Sequence, residues 1–519
     1  MSTQGEILWV DDEIDSLKSQ ILFLKNKGYE VTPLSNGYDA LELLKDKNMD
    51  VVLLDESMPG MTGLETLAKI KETHPQMPVV MVTKNEAEYI MEEAIGSQIT
   101  DYLIKPVNPN QVLLSLKKIM DTKRLVSEKT TTAYQQEFRN LFMALSSNPD
   151  HEEWKELYKK LVYWELEMAR SDSSEMMEVL QSQKSEANTE FSKYVSKNYA
   201  KWIKEPVSAP LFSHQLFKEK VAPYLEKGKP AFLVVIDNLR FDQWKVLQPI
   251  VGESFRVLEE DMFYSILPTA TQYARNALFA GMMPIDIEKR YPNEWKNDDD
   301  EGGKNLFEET FLRGQLKDLK LDHLKVQYMK ITNNEDGKSM EDNIHNCLNN
   351  DLTVIVYNFV DMLSHARTEM EVLKELAGDE ISYRSLTVSW FEHSPLYGAL
   401  RRIADKDIQV FITTDHGTVR VKQPSKCVGD RHTTTNLRYK HGRNLQYEEK
   451  DVLAFRDPKD AGLPRPNVSS TFIFAKEDVF LCYPNNYNHY VNYYRNTFQH
   501  GGISLEEMIV PVIRLQSKG

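Results

Sequence analysis

Six residues in the second half of the chain carry side chains that ligate metals: Asp237, Asp361, His365, Asp415, His416 and His500. Each follows an apolar run or sits in a glycine turn, which is where α/β enzymes present their reacting groups. Asp361 and His365 are four residues apart, a spacing that puts both on one face of a helical turn. Asp415 and His416 run into Gly417, and His500 into Gly501 and Gly502. Carboxylates combined with imidazoles suit Zn²⁺, with Mn²⁺ as the alternative. A second acidic group, Asp11, Asp12 and Asp55, lies near the N-terminus. Three carboxylates gathered at one point do not all stay ionised without a cation, and an all-oxygen set calls for a hard ion such as Mg²⁺.

Apolar runs must deliver these side chains. Lys229–Ile236 reads as a buried parallel strand ending at Asp237, Leu352–Phe359 precedes Asp361, and Gln409–Thr414 leads into Asp415. In the first half, Ile7–Val10, Val31–Pro33, Val51–Leu54, Val79–Val82 and Asp101–Ile104 are strand candidates. Helical patterns such as Ile14–Asn26 and Gly37–Lys45 alternate with them. That alternation predicts a parallel sheet covered by helices on both faces. Asp11, Asp12 and Asp55 then stand at the carboxyl ends of the first and third strands, beside a topological switch point.

The run from Asp55 through Met58, Pro59, Met61 and Gly63 resembles the phosphoacceptor signature of two-component receiver domains. Thr83 at the end of the fourth strand, and Tyr102 three residues before Lys105-Pro106, fit the same pattern. The resemblance implies that Asp55 accepts a phosphoryl group from a histidine kinase or a small phosphodonor. It also implies that Asp11, Asp12, Asp55 and the Ser57 carbonyl hold Mg²⁺. Thr83 and Lys105 would bind phosphoryl oxygens, Tyr102 would change rotamer with the switch, and the Lys105–Pro106 peptide would be cis. Lys84 departs from the pattern, since the family usually has a small residue after the threonine.

Residues 123 to 205 lack glycine and are helical by periodicity. Phe138, Leu141, Phe142 and Leu145 form one stripe, and Asn148-Pro149 reads as a cap with proline in the first turn. Leu157, Leu161, Trp164 and Met168 continue the apolar faces, and Val195, Tyr199 and Trp202 follow. Lys and Glu alternate throughout, so no basic recognition helix is present and sequence-specific DNA binding is not expected.

The remaining residues resemble the alkaline phosphatase superfamily and, within it, the PglZ branch. His500-Gly-Gly-Ile-Ser504-Leu-Glu506-Glu507, followed by Pro511, is similar to a run of phosphate-transferring members. The resemblance assigns one metal to Asp361, His365 and His500 and the other to Asp237, Asp415 and His416. It also calls for a Ser or Thr nucleophile beside the second metal. Thr271 stands where a helix begins, and helix N-termini favour phosphate. The implied reaction is hydrolysis of a phosphate ester by in-line attack of Thr271, with two Zn²⁺ carrying transition-state charge. Arg275 could reach a phosphate. The segment Tyr439–Arg443 reads as a basic, aromatic loop able to grip substrate, and Asn293–Lys304 as a solvated loop.

The expected fold class is α/β multidomain: a CheY-like (flavodoxin-like) doubly wound receiver at 1–122, an α-helical connector bundle at 123–205 and an alkaline-phosphatase-like α/β domain at 206–519. The combination resembles response regulators of type IX secretion, which implies contact with a sigma factor or a secretion-system component. Phosphorylation is expected to favour a homodimer. A formal net charge of -15 over 519 residues argues against a surface that coats nucleic acid, although metals could still draw an anionic substrate. Phosphodiesters, including nucleotides or oligonucleotides, are favoured over monoesters because no arginine clamp for a dianion is recognisable. Three cysteines, no apolar run of membrane length and an N-terminus without a signal pattern lead us to expect a cytoplasmic protein with no membrane segment. The competing reading is a non-catalytic, metal-containing module that regulates by protein–protein contact.

Overall fold

The computed structural model describes residues 5–74, 77–84, 99–171, 174–298, 300–358, 360, 378–430 and 433–518. Two compact units emerge, Met1–Gln135 with Ser171–Ser173 and Gln136–Arg170 with Ser174–Gly519.

In the first unit Gly5–Val10 (β1), Tyr29–Leu34 (β2), Val51–Asp55 (β3), Val79–Thr83 (β4) and Asp101–Ile104 (β5) form a parallel sheet of order β2-β1-β3-β4-β5. Alternate side chains serve opposite faces. Ile7, Trp9, Leu53, Val80 and Val82 pack with Leu24, Val112 and Leu116 on one side. Leu8, Val10, Val52, Leu54 and Met81 pack with Ala40, Leu44, Leu67 and Ile70 on the other. Burial on both faces is why β1, β3 and β4 read as unbroken apolar runs. The topology is the doubly wound, CheY-like one expected, and Asp11 and Asp55 stand where the strand order reverses, between β1 and β3. Gly63 opens the helix Gly63–Thr73, where any Cβ would collide with the Asp55 carbonyl. Glycine is what lets that helix approach the strand end so closely.

The second unit contains the helices His151–Ser171 and Ser174–Lys204. Asn148-Pro149 is not the helix cap. Asn148 takes a left-handed backbone (φ 53°) and the cap falls to Asp150, whose Oδ1 accepts from the N–H groups of Glu152 and Glu153, both at 2.9 Å. Glu153 accepts in return from the Asp150 N–H, completing a capping box. Of the apolar stripe expected at 138–145, Leu141 and Leu145 are buried while Phe138 and Phe142 are exposed. Phe191, Tyr199 and Trp202 pack edge-on or tilted against Phe212 and Tyr264.

The main sheet of this unit has the order β7-β19-β10-β6-β9-β8. It comprises Ala231–Ile236 (β6), Phe255–Tyr264 (β7), Val326–Ile331 (β8), Leu352–Tyr357 (β9), Gln409–Thr413 (β10) and, at the chain's end, Ile509–Ser517 (β19). Strands β10, β6, β9 and β8 are parallel, and β19 runs antiparallel to both β10 and β7. The parallel strands therefore point their carboxyl ends one way, and Asp237 and Asp415 follow two adjacent ones.

The chain between β10 and β19 forms smaller sheets. Val419–Arg420 (β11) pairs with Phe498–Gln499 (β18). Gln423–Val428 (β12) joins Gln446–Tyr447 (β14) and Val479–Cys482 (β17), while Tyr439–Gly442 (β13), Val452–Phe455 (β15) and Thr471–Ala475 (β16) make a third sheet. The segment read as a basic gripping loop is thus largely the buried strand β13. His441 stacks on Phe472, and Lys440 lies over Tyr483 and donates to the Thr434 carbonyl. Burial pushes the Lys440 amine down to about 8. The segment read as solvated at 293–304 is solvated in part: Asn293 and residues 300–303 are exposed, while Trp295 is buried and Asp298 accepts from Tyr273 and Tyr439. Among the described residues no helix is long and apolar enough to cross a membrane.

Candidate active site

Asp237 follows the last residue of β6, and its N–H donates to the Tyr357 carbonyl at the end of β9 (2.9 Å). The chain then turns through Asn238, which has φ 65°. Asp415 follows β10 across the sheet, and its Oδ1 accepts from the N–H groups of His416 (3.0 Å) and Asn238 (3.3 Å). Gly417 comes next because the Glu506 carbonyl occupies the space a Cβ would need. The His416 Nδ1 faces the Gly417 carbonyl at 3.1 Å, which assigns the proton to Nδ1 and the lone pair to Nε2.

That Nε2 lies 3.8 Å from Asp237 Oδ1 and 3.7 Å from Asp415 Oδ2. Ligand atoms of Asp237, Asp415 and His416 all fall within 4.8 Å of one another, and all three residues are buried. Two carboxylates and an imidazole, buried and converging, form a donor set that fits Zn²⁺. Thr271 opens the helix Thr271–Ala280, with Oγ1 3.1 Å from His416 Nε2 and 3.4 Å from Asp237 Oδ1. The His500 ring stacks on that of His416 at 4.2 Å, and its Nδ1 lies 3.1 Å from the Thr269 carbonyl. The structure therefore gathers Asp237, Thr271, Asp415, His416 and His500. Asp361 and His365 lie outside the described residues.

Thr269 and Thr271 have different surroundings. Thr269 is fully buried, donates to the Gly502 carbonyl (2.9 Å) and accepts from the Gly501 N–H (3.0 Å). It ties two loops together, while Thr271 faces the acidic cluster. Glu507 completes the glycine turn: its Oε1 accepts from the Gly502 N–H, and Arg438 grips its carboxylate at 2.7 and 3.1 Å. Ser504, Glu506 and Glu507 of the 500–511 run are buried and shape the turn.

Arg275 points inward from the helix surface and is 1% exposed. It donates to Asp237 Oδ2 (2.7 Å), Glu308 Oε1 (2.6 Å) and Asn358 Oδ1 (3.2 Å). Burial opposes its charge, yet the Glu308, Asp237 and Asp415 carboxylates hold it well above the ordinary guanidinium value. Burial likewise opposes charge on Glu308, and Arg275 and Lys330 bring that carboxyl below its usual range. Sequence reasoning missed Glu308, Asn358 and Arg438. No periodicity marks them, because each is defined only by a partner distant in the chain.

In the first unit Lys105 Nζ lies 2.8 Å from Asp11 Oδ2 and 2.9 Å from Asp55 Oδ1. The Lys105–Pro106 peptide is cis, as the sequence predicts. Asp11 and Asp55 are buried, Asp12 is exposed, and oxygen atoms of the three lie within 4.8 Å of one another, an all-carboxylate set that fits Mg²⁺. Burial and the neighbouring Asp11 and Asp12 carboxylates raise Asp55 above the ordinary carboxyl value, against the pull of Lys105. Burial lowers Lys105, but hydrogen bonds to Asp11 and Asp55 outweigh it and the net shift is upward. The Thr83 hydroxyl donates to Glu56, Tyr102 is 43% exposed, and Lys84 reaches Glu13 at 3.7 Å. Ser57 is exposed beside buried Met58.

This fold and these sites define a response regulator: a receiver that implies phosphorylation by a histidine kinase, carried in one chain with a phosphatase-like α/β output domain. Residues 7–117 match the response regulator receiver domain, 124–203 the PorX response regulator linker domain, and 216–515 the BREX system PglZ alkaline phosphatase-like domain. The last match covers more than half of the chain, which therefore belongs to the PglZ family, in a PorX-like architecture. The receiver region is 37% identical over 128 residues to the transcriptional regulatory protein ZraR of Klebsiella oxytoca, covering 25% of this chain and 29% of that protein. It is 34% identical over 116 residues to the transcriptional regulatory protein SrrA of Staphylococcus aureus, covering 22% and 48%. The matches thus span less than half the length of these curated relatives. A receiver domain structure from Methanospirillum hungatei is 30% identical, covers 23% of this chain and 94% of its own, and has a TM-score of 0.22.

Proposed function

We propose that this chain regulates type IX secretion as a response regulator whose output domain is a zinc-dependent phosphodiesterase with Thr271 as nucleophile. Its functional parts are a receiver at 1–122, a connector at 123–205 and an output domain at 206–519. The observation that carries the reading is the position of Thr271 Oγ1, at a helix N-terminus and 3.1 Å from the His416 Nε2.

Asp237, Asp415 and His416 would hold one Zn²⁺. His500, with Asp361 and His365 from outside the described residues, would hold a second, and Mn²⁺ is the alternative ion. When bound, the metals lower the Thr271 hydroxyl pKa and carry charge that develops on the phosphoryl oxygens. Thr271 gives up its hydroxyl proton to solvent and attacks phosphorus in line, the ester oxygen leaves on the opposite side and takes a proton, and water then cleaves the phosphothreonine, releasing the phosphate monoester and restoring the hydroxyl. The N-terminus of the helix Thr271–Ala280 favours the anionic group, and Arg275 fixes Asp237 by binding its Oδ2. Because Arg275 is committed to carboxylates, it offers no clamp to a monoester dianion. That supports diesters, including nucleotides or oligonucleotides, as substrates.

In the receiver, Asp11, Asp12, Asp55 and the Ser57 carbonyl would hold Mg²⁺. Asp55 takes the phosphoryl group, Thr83 and Lys105 bind its oxygens, and Tyr102 turns with the switch. Phosphorylation then favours a homodimer that acts on the output domain. A sigma factor or secretion-system component is the downstream partner.

Elemental analysis of wild type and of a variant carrying Asp415→Ala and His416→Ala tests the metal centre. About two zinc ions per wild-type chain are expected, with fewer in the variant. Wild type free of tightly bound transition metal would contradict the reading.

A further inference from the structure

The helix Ser174–Lys204 gives no side chain to the cluster around Thr271, yet it grips both loops that build the cluster. Tyr199, fully buried, accepts on its phenolic oxygen from the backbone N–H of Leu267 at 2.8 Å. Leu267 lies four residues before Thr271. On the same helix Asn188 Oδ1 accepts from the N–H of Leu505 at 2.8 Å, and its Nδ2 donates to Glu506 Oε2 at 3.1 Å. Leu505 lies five residues after His500. Positions 188 and 199 are eleven apart, three turns of helix, so they share one face. Lys184 and Ser192 extend that face: Lys184 lies 3.0 Å from Glu506 Oε1, and Ser192 donates to the Ile503 carbonyl at 3.4 Å.

Thr269 zips the two loops to each other through Gly501, Gly502 and His500. The helix thus sets where the zipped pair stands over the sheet. A buried backbone N–H demands an acceptor, and a side-chain acceptor fixes the donor's direction as well as its distance, which apolar packing does not.

We propose that Tyr199 and Asn188 are positioning residues of the connector helix, holding the Thr271 loop and the His500 loop in register through the N–H groups of Leu267 and Leu505. The consequence for turnover rests on the reading of Thr271 as nucleophile. The positioning itself does not.

The test uses the full chain with Tyr199→Phe, Asn188→Ala and, as control, Lys155→Met. Lys155 joins the neighbouring helix His151–Ser171 to β7, its ammonium bonding to Asp261, the Met262 carbonyl and Glu152. Tyr199→Phe keeps the ring against Phe212 and Phe455 and removes only the acceptor. Amide exchange should quicken about tenfold in peptides spanning 265–272 for Tyr199→Phe and 503–508 for Asn188→Ala, with Lys155→Met leaving both unchanged. Turnover of bis(p-nitrophenyl) phosphate should fall roughly tenfold to a hundredfold in kcat for both variants, with KM within about twofold. Wild type as inactive as Thr271→Val would sink the esterase reading, and the exchange result would still decide the positioning. Exchange unchanged in both peptides, or altered equally by Lys155→Met, would overturn it.

Discussion

Arg275 donates to Asp237 Oδ2 at 2.7 Å from one turn beyond Thr271 on the same helix, so the carboxylate that Thr271 meets at 3.4 Å is held by a buried guanidinium. Glu308, which accepts from the same guanidinium, is equally buried, and Asp415 lies 3.9 Å away. Arg275→Met would strand buried Asp237 without its guanidinium and leave Glu308 with Lys330 alone, at a cost of roughly 3–5 kcal/mol. Arg275→Lys would recover part of that, since an ammonium lacks the planar fork that meets two partners at once. Urea denaturation of the three proteins checks the order: wild type, then lysine, then methionine.

Thr269→Val removes an acceptor from the Gly501 N–H and a donor from the Gly502 carbonyl, both buried. The expected loss is about 1–3 kcal/mol in stability, restored by Thr269→Ser. Thermal unfolding of the two variants measures it. A valine variant as stable as wild type would mean that the glycine turn is held by other contacts.

The chain's regular elements were legible because they bury two faces or one stripe. β1, β3, β4, β6, β9 and β10 announced themselves as apolar runs, and Asp237 and Asp415 could be placed at strand ends by counting. The sequence points to Asn148-Pro149 rather than Asp150 as the cap because the left-handed backbone at Asn148 has no signature beyond its residue type. Strand β13 reads as a loop in the sequence because Lys440 and His441 are polar by type, yet Lys440 rests on an aromatic ring and His441 stacks on Phe472. Arg275 reads from the sequence as able to reach a phosphate, and only the fold brings Asp237 and Glu308 to it. Pairings of this kind leave no periodic trace.

His214 provides a pH-dependent term away from the metal cluster. Burial pushes its imidazole from the ordinary 6.5 down to about 4, against a weaker upward pull from Asp286. The folded value lies below the unfolded one, so the unfolded chain takes the proton first. Its stabilising contribution is full above about pH 6.5 and is lost as pH falls toward 4, amounting to about 3 kcal/mol at most. The ring stacks on Phe212, so His214→Phe should keep the packing and remove this part of the slope. Unfolding free energies from pH 7.5 to 4, taken as wild type minus variant, should decline toward acid. A flat difference would contradict the assignment.

Phosphorylation should depend on Asp55. Acetyl phosphate is expected to label wild type and not Asp55→Asn, and Lys105→Met should weaken labelling by removing the ammonium that bridges Asp11 and Asp55. Light scattering with beryllofluoride should report twice the mass of the untreated chain. A monomer under both conditions would end the dimer proposal.

Hydrolysis of bis(p-nitrophenyl) phosphate by wild type and Thr271→Val, with zinc measured in both, tests the esterase reading most directly. Wild type should turn over the diester faster than p-nitrophenyl phosphate. The variant should lose roughly a hundredfold or more in kcat/KM while its zinc content stays the same. Equal turnover by the two proteins would remove Thr271 from the chemistry and with it the proposed mechanism.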